Sequence, residues 1–238
     1  MDGNLDCLIY NYNNNCPLNE KTSILASKYG HLAILIYANQ NNCLWDSEIY
    51  SNASLNGHLD CLIYANQTNN IYQWNSQTCA YAAMNGNLDC LIYALNYNCP
   101  WYYDTCSQAS LTGNIDCLIY AHEYGCEWDK YTCSNAAKNG HLDCLIYAHK
   151  NGCIWDKYTC SEASKNGHLA ILIYAHINGC PWNELTCSNA AKNGHLDCLI
   201  YAHKNGCKMN NMTHTFAKVN GHFECLEYAQ KNSCSNFN

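Results

Sequence analysis

The stretch Gly140-His141-Leu142-Asp143-Cys144-Leu145-Ile146-Tyr147-Ala148-His149-Lys150-Asn151-Gly152-Cys153-Ile154-Trp155-Asp156-Lys157-Tyr158-Thr159-Cys160-Ser161-Glu162-Ala163-Ser164-Lys165-Asn166 decides how this 238-residue chain is read. Its apolar residues recur at helical rather than alternating spacing, in two groups separated at Gly152. We expect a longer helix over 142–150, with Leu142, Cys144, Leu145 and Ala148 facing the core and Asp143 favouring the positive end of the helix dipole. A shorter helix should start after Asp156, an N-cap residue type, and run to Lys165 with Cys160, Ala163 and Ser164 as its small buried face. Between them, Gly152 is placed to stop the first helix in left-handed backbone.

The same text recurs along the chain. Glycines at Gly3, Gly30, Gly57, Gly86, Gly113, Gly140, Gly167, Gly194 and Gly221 open near-copies, and every interval is 27 residues except the 29 from Gly57 to Gly86. The two extra residues fall in Asn66–Tyr72, which we therefore expect to be a loop. The helix-stop position carries Gly125, Gly152, Gly179 or Gly206 in some copies and Asn15, Asn42 or Asn98 in others, the two residue types that best tolerate left-handed backbone. One helical pair cannot bury its apolar face alone, but stacked pairs can. The expected architecture is all-α: a single solenoid of helix-turn-helix repeats over 1–238, about eight units beginning near those glycines and a partial unit from Gly221. No polar capping repeat precedes Gly3, so the N-terminal end is expected to be incomplete or sticky.

Composition excludes several classes of function. The formal net charge is -7 and all twelve basic residues are lysine, so the forked guanidinium that best recognises phosphate and guanine is missing and nucleic acid is not an expected partner. The longest apolar stretch, Leu32–Ala38, is too short to span a bilayer, and the N-terminus lacks a basic and apolar leader. We expect no membrane association and a cytoplasmic location.

The run Thr132-Cys133-Ser134-Asn135-Ala136-Ala137-Lys138-Asn139-Gly140-His141-Leu142-Asp143-Cys144-Leu145 resembles the ankyrin repeat, and the resemblance extends over almost the whole chain. Gly125-Cys126 and Gly152-Cys153 are similar to the Gly-Ala that ends an ankyrin unit. The departures are informative: cysteine follows the threonine where proline is usual, and the unit is about six residues shorter than the usual 33. The shortfall lies between Cys153 and Thr159, where ankyrin units carry a β-hairpin finger. We expect Ile154–Tyr158 to make a tight loop with little or no β-structure. Short units with cysteine and tryptophan are similar to those of the ankyrin-like families of giant DNA viruses of amoebae, and the arginine-free, Asn/Ile/Tyr-rich composition suits an AT-rich genome.

The residues that could carry chemistry are themselves repeated. All twenty cysteines fall in three columns: seven with Cys144, eight with Cys153 and five with Cys160. Ile34 and Ile171 replace the first kind, which marks small apolar filler. The columns lie nine, seven and eleven residues apart, unlike zinc-binding spacings. A ladder of thiols between adjacent copies, and with it a metal- or redox-responsive protein, is the alternative reading. His31, His58, His141, His168, His195 and His222 follow the repeat glycine, and the Gly-His of ankyrin units implies a bond to backbone across the turn. His122, His149, His176 and His203 sit near a helix C-terminus, where a protonated ring meets the dipole favourably. An active site is one constellation of unlike residues, so an array of like ones argues against an enzyme, and no cofactor or metal is expected.

What remains is binding. The resemblance implies a protein-interaction scaffold that recognises an unidentified protein partner through its short loops and inner helices. Loop positions differ between copies while core columns barely change, so the candidate protein-binding residues are Trp101, Glu127, Trp128, Asp129, Lys130, Ile154, Trp155, Asp156, Lys157, Trp182, Asn183 and Glu184. The tryptophan column either packs between units or is presented to a partner. A row of isoleucines, Ile9 through Ile200, and the adjoining tyrosines either cover one another or offer a surface for self-association.

Overall fold

The computed structural model describes residues 4–68, 74–129 and 131–233, and among these there are seventeen helices and no strand. Contacts divide the chain into two units, Met1–Ala109 with Asp116–Glu127, and Ser110–Ile115 with Trp128–Asn238. The first contains α1 (Leu5–Asn13), α2 (Glu20–Lys28), α3 (Leu32–Gln40), α4 (Glu48–Asn56), α5 (Leu59–Thr68), α6 (Gln77–Asn85) and α7 (Leu88–Asn96). The boundary runs through α8 (Thr105–Thr112) and α9 (Ile115–Glu123). The second contains α10 (Thr132–Asn139), α11 (Leu142–Lys150), α12 (Lys157–Lys165), α13 (Leu169–Ile177), α14 (Glu184–Asn193), α15 (Leu196–Lys204), α16 (Asn211–Val219) and α17 (Phe223–Ser233).

Each helix ends where the sequence supplies the means. Asp156 holds extended backbone and its carboxylate accepts from the Tyr158 amide at 2.9 Å, capping α12. Asn183 does the same for α14 through Leu185, and Asn210 for α16 through Thr213. At the other end of α11, Gly152 has φ +87°, its amide donates to the His149 carbonyl, and the Cys153 amide donates to Ala148. That is a Schellman closure, and the small apolar Cys153 just beyond it turns inward, buried. Asn15, Asn42 and Asn98 hold the same left-handed conformation in their copies. α11 and α12 are both nine residues long, so the expected difference in length between the two helices of a pair is absent. Lys157 and Tyr158 form the first turn of α12 rather than loop, because the Asp156 cap starts the helix immediately. In the longer copy Asn66–Thr68 continue α5, and the rest of the expected loop, Asn69–Tyr72, lies outside the described residues.

Within each unit the even-numbered helices pack on one another and the odd-numbered helices form a second row against them. In the first unit α2, α4 and α6 are consecutive neighbours, as are α1, α3, α5 and α7. In the second, α10, α12, α14 and α16 line up beside α11, α13, α15 and α17. The core between the rows is built from columns. Leu35, Leu62, Leu91, Leu118, Leu145, Leu172 and Leu199 are fully buried, each contributing about 1.5–3 kcal/mol on transfer from water. All eight even-numbered helices place an alanine at one position, Ala26 through Ala217, and all eight are fully buried. Leu142 is only half-buried, because at the first position of α11 it sits at the rim of the row, whereas Cys144, Leu145 and Ala148 are buried as the helical stripe predicts.

Candidate protein-interaction surface

The side of the even-numbered helices opposite the alanine column is open. In the second unit α10 and α12 enclose a groove of about 470 Å³ lined by Tyr131, Ser134, Asn135 and Lys138 from one helix and by Asp156, Tyr158, Glu162 and Lys165 from the other. Both tyrosines are about half exposed, and the charges are mixed. Lys165 Nζ lies 3.5 Å from Glu162 Oε1, while Glu162 Oε2, shielded from solvent, has no hydrogen-bond partner. The groove therefore offers aromatic faces and two ammonium groups.

The copies differ on this side. The column of Asn135 and Glu162 reads Leu25, Asn52, Tyr81, Gln108, Asn135, Glu162, Asn189 and Phe216, one residue before the alanines that never change. The column of Tyr131 and Tyr158 varies as widely. These groove positions were missed when the even-numbered helices were read only for their buried faces; their spacing of three, four and seven residues, the polar complement of that face, was the signal available.

The tips carry the residues singled out from the sequence. Glu127, Ile154, Asp156, Lys157 and Glu184 are exposed, Ile154 to 84%. Asp129, Asn183 and Trp101, Trp128, Trp155 and Trp182 are half-buried, and Lys130 lies outside the described residues. Three of the polar ones also hold helix starts: Asp129 accepts from the Tyr131 amide and the Thr132 hydroxyl, and Asp156 and Asn183 cap α12 and α14. Of the described members of the set, the structure brings only Asp156 into the groove.

The indoles reach across to the next odd-numbered helix. Trp74 Nε1 donates to the Tyr97 carbonyl at 2.8 Å, and Trp101 and Trp128 donate likewise to Tyr124 and Asn151. His149 stacks on Trp155 at 3.7 Å between ring centroids and bonds the Tyr174 hydroxyl at 3.1 Å, and His176 repeats the arrangement with Trp182 and Tyr201. Burial holds the His149 pKa below the usual histidine value. At His149 burial therefore works against the protonated form that would meet the helix dipole favourably. The isoleucine row from Ile9 to Ile200 is half-buried throughout.

The rings of His58, His141, His168, His195 and His222 reach the glycine of the preceding copy, while their amides close their own turns. His168 Nε2 lies 3.2 Å from the Lys138 carbonyl at the end of α10, and its ring lies where a Cβ on Gly140 would stand. Asn87 performs the same service for the Ser54 and Leu55 carbonyls.

The described cysteines are buried except Cys7 and Cys16 in the first copy, and none forms a disulfide. In the Cys144 column burial, with help from Asp143, pushes the Cys144 thiol up to about 12, as expected of inert filler. The other two columns, far apart in sequence, meet: each cysteine of an even-numbered helix lies against the one twenty residues later. The thiols of Cys133, Cys160 and Cys187 donate to the main-chain carbonyls of Cys153, Cys180 and Cys207 at 3.7–4.0 Å, and the thiol of Cys79 is hydrogen-bonded to Cys99. Cys106 approaches Cys126 in the same register. Among the described residues no three or more Cys, His, Asp or Glu side chains converge to hold a metal.

No protein-family model matches the sequence, and no curated protein matches it. Among solved structures 131 chains match. This chain is similar to an ankyrin repeat domain, and the fold, helical pairs with no strand among the described residues, is of that class. The match reported is the human ASB11 ankyrin repeat domain, with a TM-score of 0.57 and 16% identity, covering 67% of this chain and 84% of that one.

Proposed function

We propose that the chain is a non-enzymatic ankyrin-type scaffold that holds a protein partner along the open side of its even-numbered helices, with the loop tips as a second row of contacts. The observation that carries this reading is the contrast between the alanine column, the same in eight copies, and the neighbouring Asn135–Glu162 column, which holds six residue types in eight copies, on a side where α10 and α12 leave a groove. A fold maintained by constant residues while its open side changes from copy to copy is suited to recognition. Half-exposed tyrosines at the groove rim are the residue type that anchors interfaces. We read the 27-residue unit as a short ankyrin variant like those of giant DNA viruses of amoebae, working in the cytoplasm, on the strength of its period and arginine-free composition.

The test is affinity capture from cell lysate with three forms of the protein: the parent, a groove variant carrying Tyr131→Ala, Tyr158→Ala and Glu162→Lys, and a control carrying Asp143→Lys on α11. Partners retained by parent and control but lost by the groove variant support the reading. An identical partner list from all three removes it.

A further inference from the structure

The paired thiols have no part in a binding groove, yet their placement is regular. Each pair joins the first turns of an even-numbered helix to the residue just beyond the following odd-numbered helix, so that the Cys133 thiol of α10 lies 4.0 Å from the Cys153 carbonyl after α11, and the Cys160 thiol of α12 lies 4.0 Å from the Cys180 carbonyl after α13. The copy that begins at Gly3 shows the spacing of the same two positions directly: Ser23 Oγ lies 3.4 Å from Cys43 Sγ. Where the connection is two residues longer, the pair is replaced altogether. Tyr50 fills the cysteine position, buried to 2% exposure, packs on Trp74 and donates to the Ala65 carbonyl.

We propose that these five cysteine pairs are oxidisable dithiols, each able to close into a disulfide that staples one helical pair. The alternative chemistry for two adjacent thiols is a soft metal ion, which needs both as thiolates. Two thiolates with a monovalent ion leave a net negative charge in sites at most 4% exposed, where Asp129 and Glu184 add to it and no described lysine is among the groups that act on Cys153 or Cys207. A disulfide is neutral and removes two S–H groups from an apolar setting. With a small disulfide such as oxidised glutathione, one protein thiolate attacks and displaces the first glutathione thiolate. The partner thiol then loses its proton, attacks the protein sulfur of the mixed disulfide and displaces the second. Two electrons pass from the protein pair to glutathione disulfide, two protons go to the released thiolates, and the products are one protein disulfide and two glutathione molecules. Because the pairs are buried, attack requires local opening of the helical pair, so closure is slow in native buffer and faster in subdenaturing urea.

The natural chain contains its own control, since the position paired with Cys43 holds Ser23. The experiment is to equilibrate the reduced full chain with oxidised glutathione in subdenaturing urea, block remaining thiols, and map linkages by mass spectrometry. The expected result is bridges twenty residues apart at the five pairs, with Cys7, Cys16 and Cys43 left as thiols or glutathione adducts, and a higher thermal midpoint that falls back on adding dithiothreitol. Ser23→Cys should gain a sixth bridge to Cys43. Pairs that stay reduced while Cys7 and Cys16 react, bridges in any other register, or a Ser23→Cys chain that gains no linkage would overturn the proposal.

Discussion

Gly140 and Gly152 both hold left-handed backbone, at φ +87° each, but only one is crowded. A Cβ on Gly140 would meet the His168 ring at 2.8 Å, whereas one on Gly152 meets nothing within 4 Å. Gly152→Ala should cost about 1 kcal/mol, the left-handed penalty alone, and Gly152→Asn less, since Asn42 and Asn98 fill that position in other copies. Gly140→Ala should cost about 2–3 kcal/mol because the histidine of the next copy must also move. Urea denaturation of the three variants checks the order; equal losses would mean that His168 yields freely. His149 supplies a pH test. Its pKa is depressed by burial, so between that value and the usual 6.5 or so the unfolded chain binds more protons than the folded one. The stabilisation is complete above about pH 6.5 and is lost as pH falls through the lowered folded value. His149→Asn should keep a bond to Tyr174, as Asn39 keeps one to Tyr64, and should flatten the dependence of the urea midpoint on pH in this range. At this scale the sequence displayed which residues were glycine or asparagine and why; that a histidine from the adjacent copy occupies the space beside Gly140 was not legible, because the contact joins residues 28 apart.

Among the elements, α12 is set by its cap. Asp156→Ala should lower stability by about 1 kcal/mol, and Asp156→Asn much less, because asparagine caps equally well. Binding assays at this position should therefore use asparagine, which removes the charge and leaves the helix in place; a calorimetric or denaturant comparison of the two variants verifies the premise. Leu145→Ala, in the fully buried leucine column, should cost about 2–5 kcal/mol, measurable as the same loss. α1 stands at the opposite extreme, with none of its residues buried. Its amides should exchange with solvent much faster than those of α3, although the two helices are similar in sequence, and hydrogen exchange resolved by peptide will show it. Helix positions, caps and the missing finger were all legible in the repeat, since they are local. So was the equal length of the two helices, since a start after Asp156 and an end at Lys165 already span the nine residues of α12.

For the whole chain, the repetition itself is the determinant. A 27-residue period of helical apolar spacing, Schellman-type stops and small core residues leaves stacked helical pairs as the way to bury the leucine, alanine and cysteine columns, and the sequence determined that much without help. It also determined that the loops are short, since there are too few residues between Cys153 and Thr159 for a hairpin. Tertiary structure decided which columns touch. Cysteines twenty residues apart become neighbours, indoles find carbonyls twenty-three residues on, and the polar sides of α10 and α12 close on a groove whose residues no single helix would have singled out. The physical reason is that period fixes what each helix buries, whereas the angle and register at which helices pack fix what they bring together, and those depend on side-chain shape summed over both partners.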